Sequence, residues 1–274
     1  VSIALSTTVV PPERDVHRCV RGTVGAVVEV APWLRRLTVR VPEMQGYDVL
    51  GPDEYVGLVM PRPGAALPDL SSVRGPNPRP VLGALPESVR PDVRWYTVRG
   101  WRPATAELDL EIVLHPAGEV AEGPGATWLR GVRAGDPVAV QTGSASFVPD
   151  SGARVRLVAG DETAYPAIAG VVEATQGRGQ ALHVLLEVGR TGVLPDLPTP
   201  GTGSLTVVVR GDRRPGQALL EAVRAADLSD LDDAWVAGEQ ELAASVRRHL
   251  VAERGLARTS VYFCAYWILG RPRG

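Results

Sequence analysis

Four short segments of this 274-residue chain hold residue types and spacings that can do chemistry. The first is Arg94-Trp95-Tyr96-Thr97-Val98-Arg99. Arginine offers a planar forked donor suited to phosphate oxygens. A tyrosine two residues later lies on the same face of a strand and presents a flat ring for stacking. Thr97 adds a hydroxyl beside it. An ordinary β-strand accounts for the same composition. The second segment, Gly123-Pro124-Gly125-Ala126-Thr127-Trp128, reads as a small-residue turn whose backbone N–H groups can cradle an anion, with the Thr127 hydroxyl as a further donor. A plain Gly-Pro turn is the alternative. The third, Gly160-Asp161-Glu162-Thr163, falls between a strand and a helix, which is where open α/β sheets bind ligands. Asp and Thr are also common helix caps, and the two readings are compatible. The fourth, Arg210-Gly211-Asp212-Arg213-Arg214-Pro215, can surround a dianion with three arginines or be a solvated loop leading into a helix.

Other chemistries have little support. His17, His115, His183 and His249 have neither HExxH nor any other metal spacing, so no protein-built metal site is expected. Cys19 and Cys264 form no CxxC pair, and a reduced, cytoplasmic protein fits best. No GxGxxG fingerprint and no apolar run of membrane-spanning length occur. The net charge of -2 provides no global basic field for nucleic acid or an anionic membrane. Lysine is absent, so every basic group besides histidine is arginine. No catalytic acid, base or nucleophile is assigned.

The elements that must position these segments fall into two kinds. The composition, 45% hydrophobic and 22% charged, is globular, and the length suffices for two domains. In the first half, Val20–Ala31, Arg35–Val41, Glu54–Met60, Trp95–Trp101, Leu108–His115 and Pro137–Thr142 read as short strands between Gly and Pro turns, predicting an antiparallel barrel. The proline-rich excursion Pro61–Pro91 reads as a functional or disordered loop. After Asp150, strands at Arg154–Ala159, Leu182–Val188, Leu205–Val209, Ala234–Ala237 and Ser260–Trp267 alternate with helices at Thr163–Thr175, Gln217–Ala226 and Gln240–Arg254. That alternation predicts a parallel sheet covered by helices. The expected domains are 16–150, a barrel, and 151–274, an α/β domain.

A barrel followed by such a domain is the layout of ferredoxin-reductase-like flavoenzymes, and Arg94-x-Tyr96-Thr97 matches their flavin-binding pattern. From about Gly22 to Gly270 the chain resembles the siderophore-interacting protein family. The likeness rests on ordered blocks: Ala31-Pro32-Trp33-Leu34-Arg35-Arg36-Leu37-Thr38, Gly51-Pro52-Asp53-Glu54-Tyr55-Val56, the Arg94 block with Leu114-His115, Gly123–Trp128, Ala159–Ile168, Trp235-Val236-Ala237-Gly238-Glu239, and Ala265-Tyr266-Trp267. Two departures stand out. The family's Gly-Tyr-Trp-Arg is here Ala265-Tyr266-Trp267-Ile268, displacing a basic group toward Arg271. Its Gly-Pro-x-Gly is here Thr142-Gly143-Ser144-Ala145.

The resemblance implies an FAD-binding barrel, with a flavin set of Arg94, Trp95, Tyr96, Thr97, Val98, His115 and Gly123, Pro124, Gly125, Ala126, Thr127, Trp128. His115 reads equally as a structural histidine at a strand end. The resemblance places Asp161, Glu162 and Thr163, with Tyr266 and Trp267, in the cofactor-binding set of the second domain, which takes NAD(P)H. It implies a monomer that passes electrons from NAD(P)H or ferredoxin to a ferric siderophore and releases Fe(II). Many such chelates are anionic, so Arg62, Arg74 and Arg102 are candidates to line the acceptor pocket, as is Arg210. Arg213 and Arg214, with Arg210, are candidates for the 2′-phosphate of NADPH. Each is also readable as a solvated surface arginine. The alternatives are a flavin reductase or redox partner in a biosynthetic pathway, or a homologue that binds without turnover.

Overall fold

The computed structural model describes residues 11, 13–114, 123–189 and 195–270. The described chain forms two compact units, which divide between Ala145 and Ser146.

In the first unit, β1 (Cys19–Ala31), β2 (Leu34–Arg40), β3 (Tyr55–Met60), β4 (Asp92–Arg102), β5 (Glu107–Val113) and β6 (Pro137–Gln141) close into a barrel of order β1-β2-β5-β4-β3-β6, with every pair antiparallel. Alternate positions turn inward, so Leu37, Val39, Leu58, Leu108, Leu110 and Val140 meet in one fully buried core. The excursion between β3 and β4 is not a bare loop. It carries the short helix α1 (Arg79–Gly83), and its Leu67, Leu70, Val73 and Leu82 bury against Val59, Val93 and Ala139 of the barrel wall. Its prolines break regular structure, but its spaced leucines give it an apolar footing.

Between β5 and β6 lies α2 (Pro124–Gly131). The sequence reading of this segment as a turn is corrected here to a helix. Gly123 is its N-cap and Pro124 its first residue, a place where a missing N–H costs nothing and a fixed φ favours the helix. Leu129 anchors α2 in the barrel core, with Trp128 packed beside it.

In the second unit β7 (Val155–Asp161), α3 (Tyr165–Thr175), β8 (Ala181–Val188), β9 (Gly203–Val209), α4 (Gln217–Ala225), β10 (Asp233–Glu239), α5 (Gln240–Ala252) and β11 (Val261–Trp267) build a sheet of order β11-β10-β7-β8-β9, all parallel. The central strands β7, β8 and β10 are apolar runs buried on both faces, as a parallel sheet requires. Among the described residues no helix joins β8 to β9. The chain runs outward from β7 to β9 and then returns to β10 on the other side of β7. The ends of β7 and β10 are therefore the topological switch point, where such sheets open a crevice. Among the described residues no helix is long and apolar enough to cross a membrane.

Candidate functional site

In the barrel unit, β4 and α2 bring three of the expected residues together. Arg94 and Tyr96 are two apart on β4 and share a face, and both meet the first turn of α2. Gly125 is what lets them meet, since a Cβ there would overlap the Tyr96 hydroxyl and lie 3.6 Å from Arg94 Cγ. Burial pushes the Tyr96 phenol up to about 12, partly offset by the Arg94 charge, so it is a neutral hydroxyl near neutral pH. The guanidinium of Arg94 donates through Nη1 to the Val93 carbonyl at 2.7 Å.

Among the described residues no side chain caps the N-terminus of α2. Pro124 has no N–H, and the N–H groups of Gly125 and Ala126 have no carbonyl within the helix to donate to. Thr127 donates its backbone N–H to the Gly123 carbonyl at 3.1 Å, and its hydroxyl turns to the same oxygen at 3.3 Å. A guanidinium beside an uncapped helix start and an aromatic ring is a donor set that fits a phosphate-bearing cofactor with a flat ring system. The other flavin-set residues on β4 serve the barrel. Trp95 stands edge-on to Tyr55 with ring centroids 5.3 Å apart, Thr97 is buried, and Val98 belongs to the core. His115 lies outside the described residues.

In the second unit, Asp161 and Glu239 end the two strands at the switch point, and both strands finish in Ala-Gly-acid: Ala159-Gly160-Asp161 and Ala237-Gly238-Glu239. Asp161 is fully buried. It accepts from the Thr163 N–H at 2.9 Å and hydroxyl at 2.5 Å, the Glu239 N–H at 2.6 Å, and the Trp267 indole N–H at 2.9 Å. Gly238, at φ 141°, leaves room for that carboxylate, which any Cβ would strike. Glu239 caps α5 by accepting from the N–H groups of Glu241 and Leu242, at 2.6 and 3.2 Å, and from that of Leu269 at 3.1 Å.

Glu187, next to the last residue of β8, completes the pattern. It accepts from Gly216 N–H at 2.8 Å and Leu219 N–H at 2.9 Å, at the start of α4. Arg210 lies buried between Glu187, at 3.4 Å, and Glu162, which it meets through two contacts of 3.2 Å. Burial and the neighbouring Asp161 push the Glu162 carboxyl from 4.5 up to about 7 against the pull of Arg210.

The expected arginine cluster does not form. Arg210 points into the domain, whereas Arg213 is exposed and pairs with Glu221 at 3.2 Å, and Arg214 is exposed. Arg102 is held on the barrel wall by Glu107 at 3.1 Å and Asp109 at 2.5 Å rather than offered to a pocket. Arg62 donates to the Arg90 carbonyl at 3.2 Å, and Arg74 to the Ser71 and Val73 carbonyls at 2.5 and 3.0 Å, so both brace the excursion. Tyr266 packs edge-on to Trp235, with centroids 6.4 Å apart. Sequence reasoning assigned no role to Glu187 or Glu239. The signal was available, as single acids ending apolar strand runs.

Residues 23–146 match the siderophore-interacting FAD-binding domain, and residues 153–270 match the siderophore-interacting protein domain. An uncharacterized protein of Mycobacterium tuberculosis is 31% identical over 249 residues, covering 82% of this chain and 83% of the relative. The chain belongs to the siderophore-interacting protein family. The ferric vibriobactin reductase of Vibrio cholerae is 28% identical over 185 residues, 66% of each protein. The crystal structure of a siderophore-interacting protein of Aeromonas hydrophila, 28% identical, superposes with a TM-score of 0.73 over 93% of each chain.

Proposed function

We propose that this protein is an FAD-dependent reductase that passes electrons from a reduced donor, NAD(P)H or ferredoxin, to a ferric siderophore and so releases Fe(II). One observation carries the reading: Arg94, Tyr96 and the uncapped start of α2 converge inside the segment that matches a siderophore-interacting FAD-binding domain. Arg94 and the N–H groups of Gly125 and Ala126 would hold the cofactor's pyrophosphate, and Tyr96 would offer its ring to the flat ring system. Bound FAD supplies the ability to accept two electrons together and return them singly, as Fe(III) requires. The hard oxygen donors of a siderophore hold Fe(II) far less tightly than Fe(III), so reduction is itself the release step. No residue of this chain needs to act as acid or base.

The test is anaerobic. The FAD-loaded protein is reduced with dithionite, freed of excess reductant, and mixed with a ferric siderophore in the presence of a ferrous-specific chelator. Reoxidation of the flavin band with stoichiometric ferrous colour is expected. A flavin that stays reduced against every ferric chelate would overturn the acceptor assignment, and a protein that takes up no FAD would overturn the whole reading.

A further inference from the structure

The helix starts at the carboxyl edge of an open parallel sheet are its ready-made anion seats, because their first N–H groups lack partners and the helix dipole favours negative charge. A dinucleotide's pyrophosphate ordinarily sits there. In this α/β domain those seats are already filled. Asp161 holds the Thr163 N–H at the 3-10 turn that opens α3, Glu187 holds two N–H groups at the start of α4, and Glu239 holds two at the start of α5. All three carboxylates are buried, so none is a surface side chain that a ligand can push aside into water. Arg210, buried at this edge, has its charge met by Glu162 and Glu187.

We propose that the chain's own carboxylates exclude the pyrophosphate of a nicotinamide dinucleotide from this domain. The adenylate half of NADH or NADPH then adds no affinity, Arg210 is not a 2′-phosphate ligand, and the donor is engaged through its redox end alone. Electrostatics point the same way. An incoming pyrophosphate dianion meets the buried carboxyl groups of Asp161, Glu162, Glu187 and Glu239, and among the described residues Arg210 is the buried arginine beside them, at an edge where burial keeps charges poorly screened. This inference concerns the α/β domain and does not rest on the flavin reading.

Calorimetric titration of the intact, FAD-saturated protein with NAD+, NADP+ and ADP-ribose tests it, since saturation removes any adenylate binding at the barrel. No saturable heat is expected up to ~1 mM, the weak end of nucleotide affinity. Micromolar binding of any of the three, or NADP+ binding much more tightly than NAD+, would overturn the proposal. The Glu187→Gln variant removes the charge and one of the two acceptor oxygens, which leaves one α4 N–H group without its partner, and ADP-ribose binding should appear in it. The Glu239→Gln variant makes the same test at α5. Folded variants, judged by circular dichroism, that still bind no ADP-ribose would contradict the claim that these carboxylates do the excluding. Unchanged flavin absorbance throughout separates this outcome from loss of FAD.

Discussion

Helix α2 of the barrel and the helices of the α/β domain solve the same problem in opposite ways. Each begins with N–H groups that need an acceptor. At α2 no side chain among the described residues caps the start, an arginine lies alongside, and Gly125 stays bare so that Tyr96 can close in. At the turn before α3, at α4 and at α5 it supplies a buried carboxylate each time. The first arrangement is a positive seat waiting for an anion, and the second is a seat whose anion is built in. What differs between the two is the sign of the charge that the chain itself places at the helix start.

The largest expected effect comes from emptying a built-in seat. Glu187→Ala leaves the α4 N–H groups uncapped and Arg210 with half its compensation, and should cost about 3–5 kcal/mol of folding stability in urea titration. A loss below about 1 kcal/mol, the level of an exposed pair, would mean that the cluster is not the tightly held unit described. Next is the open seat. Arg94→Ala should weaken FAD binding by ~10- to 150-fold, the equivalent of about 1.5–3 kcal/mol for a charge-assisted hydrogen bond. Gly125→Ala should destabilise the barrel unit by about 1–3 kcal/mol through overlap with the Tyr96 hydroxyl. Adding Tyr96→Phe should recover most of that, because the next ring atom lies 3.3 Å from the added Cβ. If the double variant is no better than the single, the close approach is not what demands glycine at 125.

A pH dependence is expected as well. Glu162 has a folded pKa raised from 4.5 to about 7 by burial and by Asp161. The folded state therefore holds more protons than the unfolded state between those values. The associated stability is present below about pH 4.5 and is lost as pH rises through about 7. Glu162→Gln abolishes that titration, so the parent should lose stability relative to the variant across this window and run parallel to it above. Parallel curves throughout would show that Arg210 keeps Glu162 ionised.

Much of this was legible in the sequence, because strand and helix periods are strong in both halves. The barrel, the parallel sheet and the Arg94–Tyr96 strand face follow from alternation and from apolar runs. The start of α2 is ambiguous in the sequence because Gly-Pro-Gly suggests a turn, while a proline in first place also opens helices. The proline-rich excursion reads as a loop because prolines mask the spacing of Leu67, Leu70, Val73 and Leu82, which bury it. Proximity along the chain groups Arg210 with Arg213 and Arg214. Only the structure shows that the end of β9 sends Arg210 inward to Glu162 and Glu187. Long-range charge pairing of this kind has no local sequence signal, although the acids at the ends of β7, β8 and β10 could have been noticed as a set.

The measurement that bears most directly on the account is a titration of the flavin-free protein with FAD, followed by quenching of flavin fluorescence. The account expects a single break at one equivalent for the parent, with no second phase from the α/β domain, and a break that blurs or vanishes in Arg94→Ala/Gly125→Val. No saturable binding in the parent, or a double variant that titrates as sharply as the parent, would contradict it.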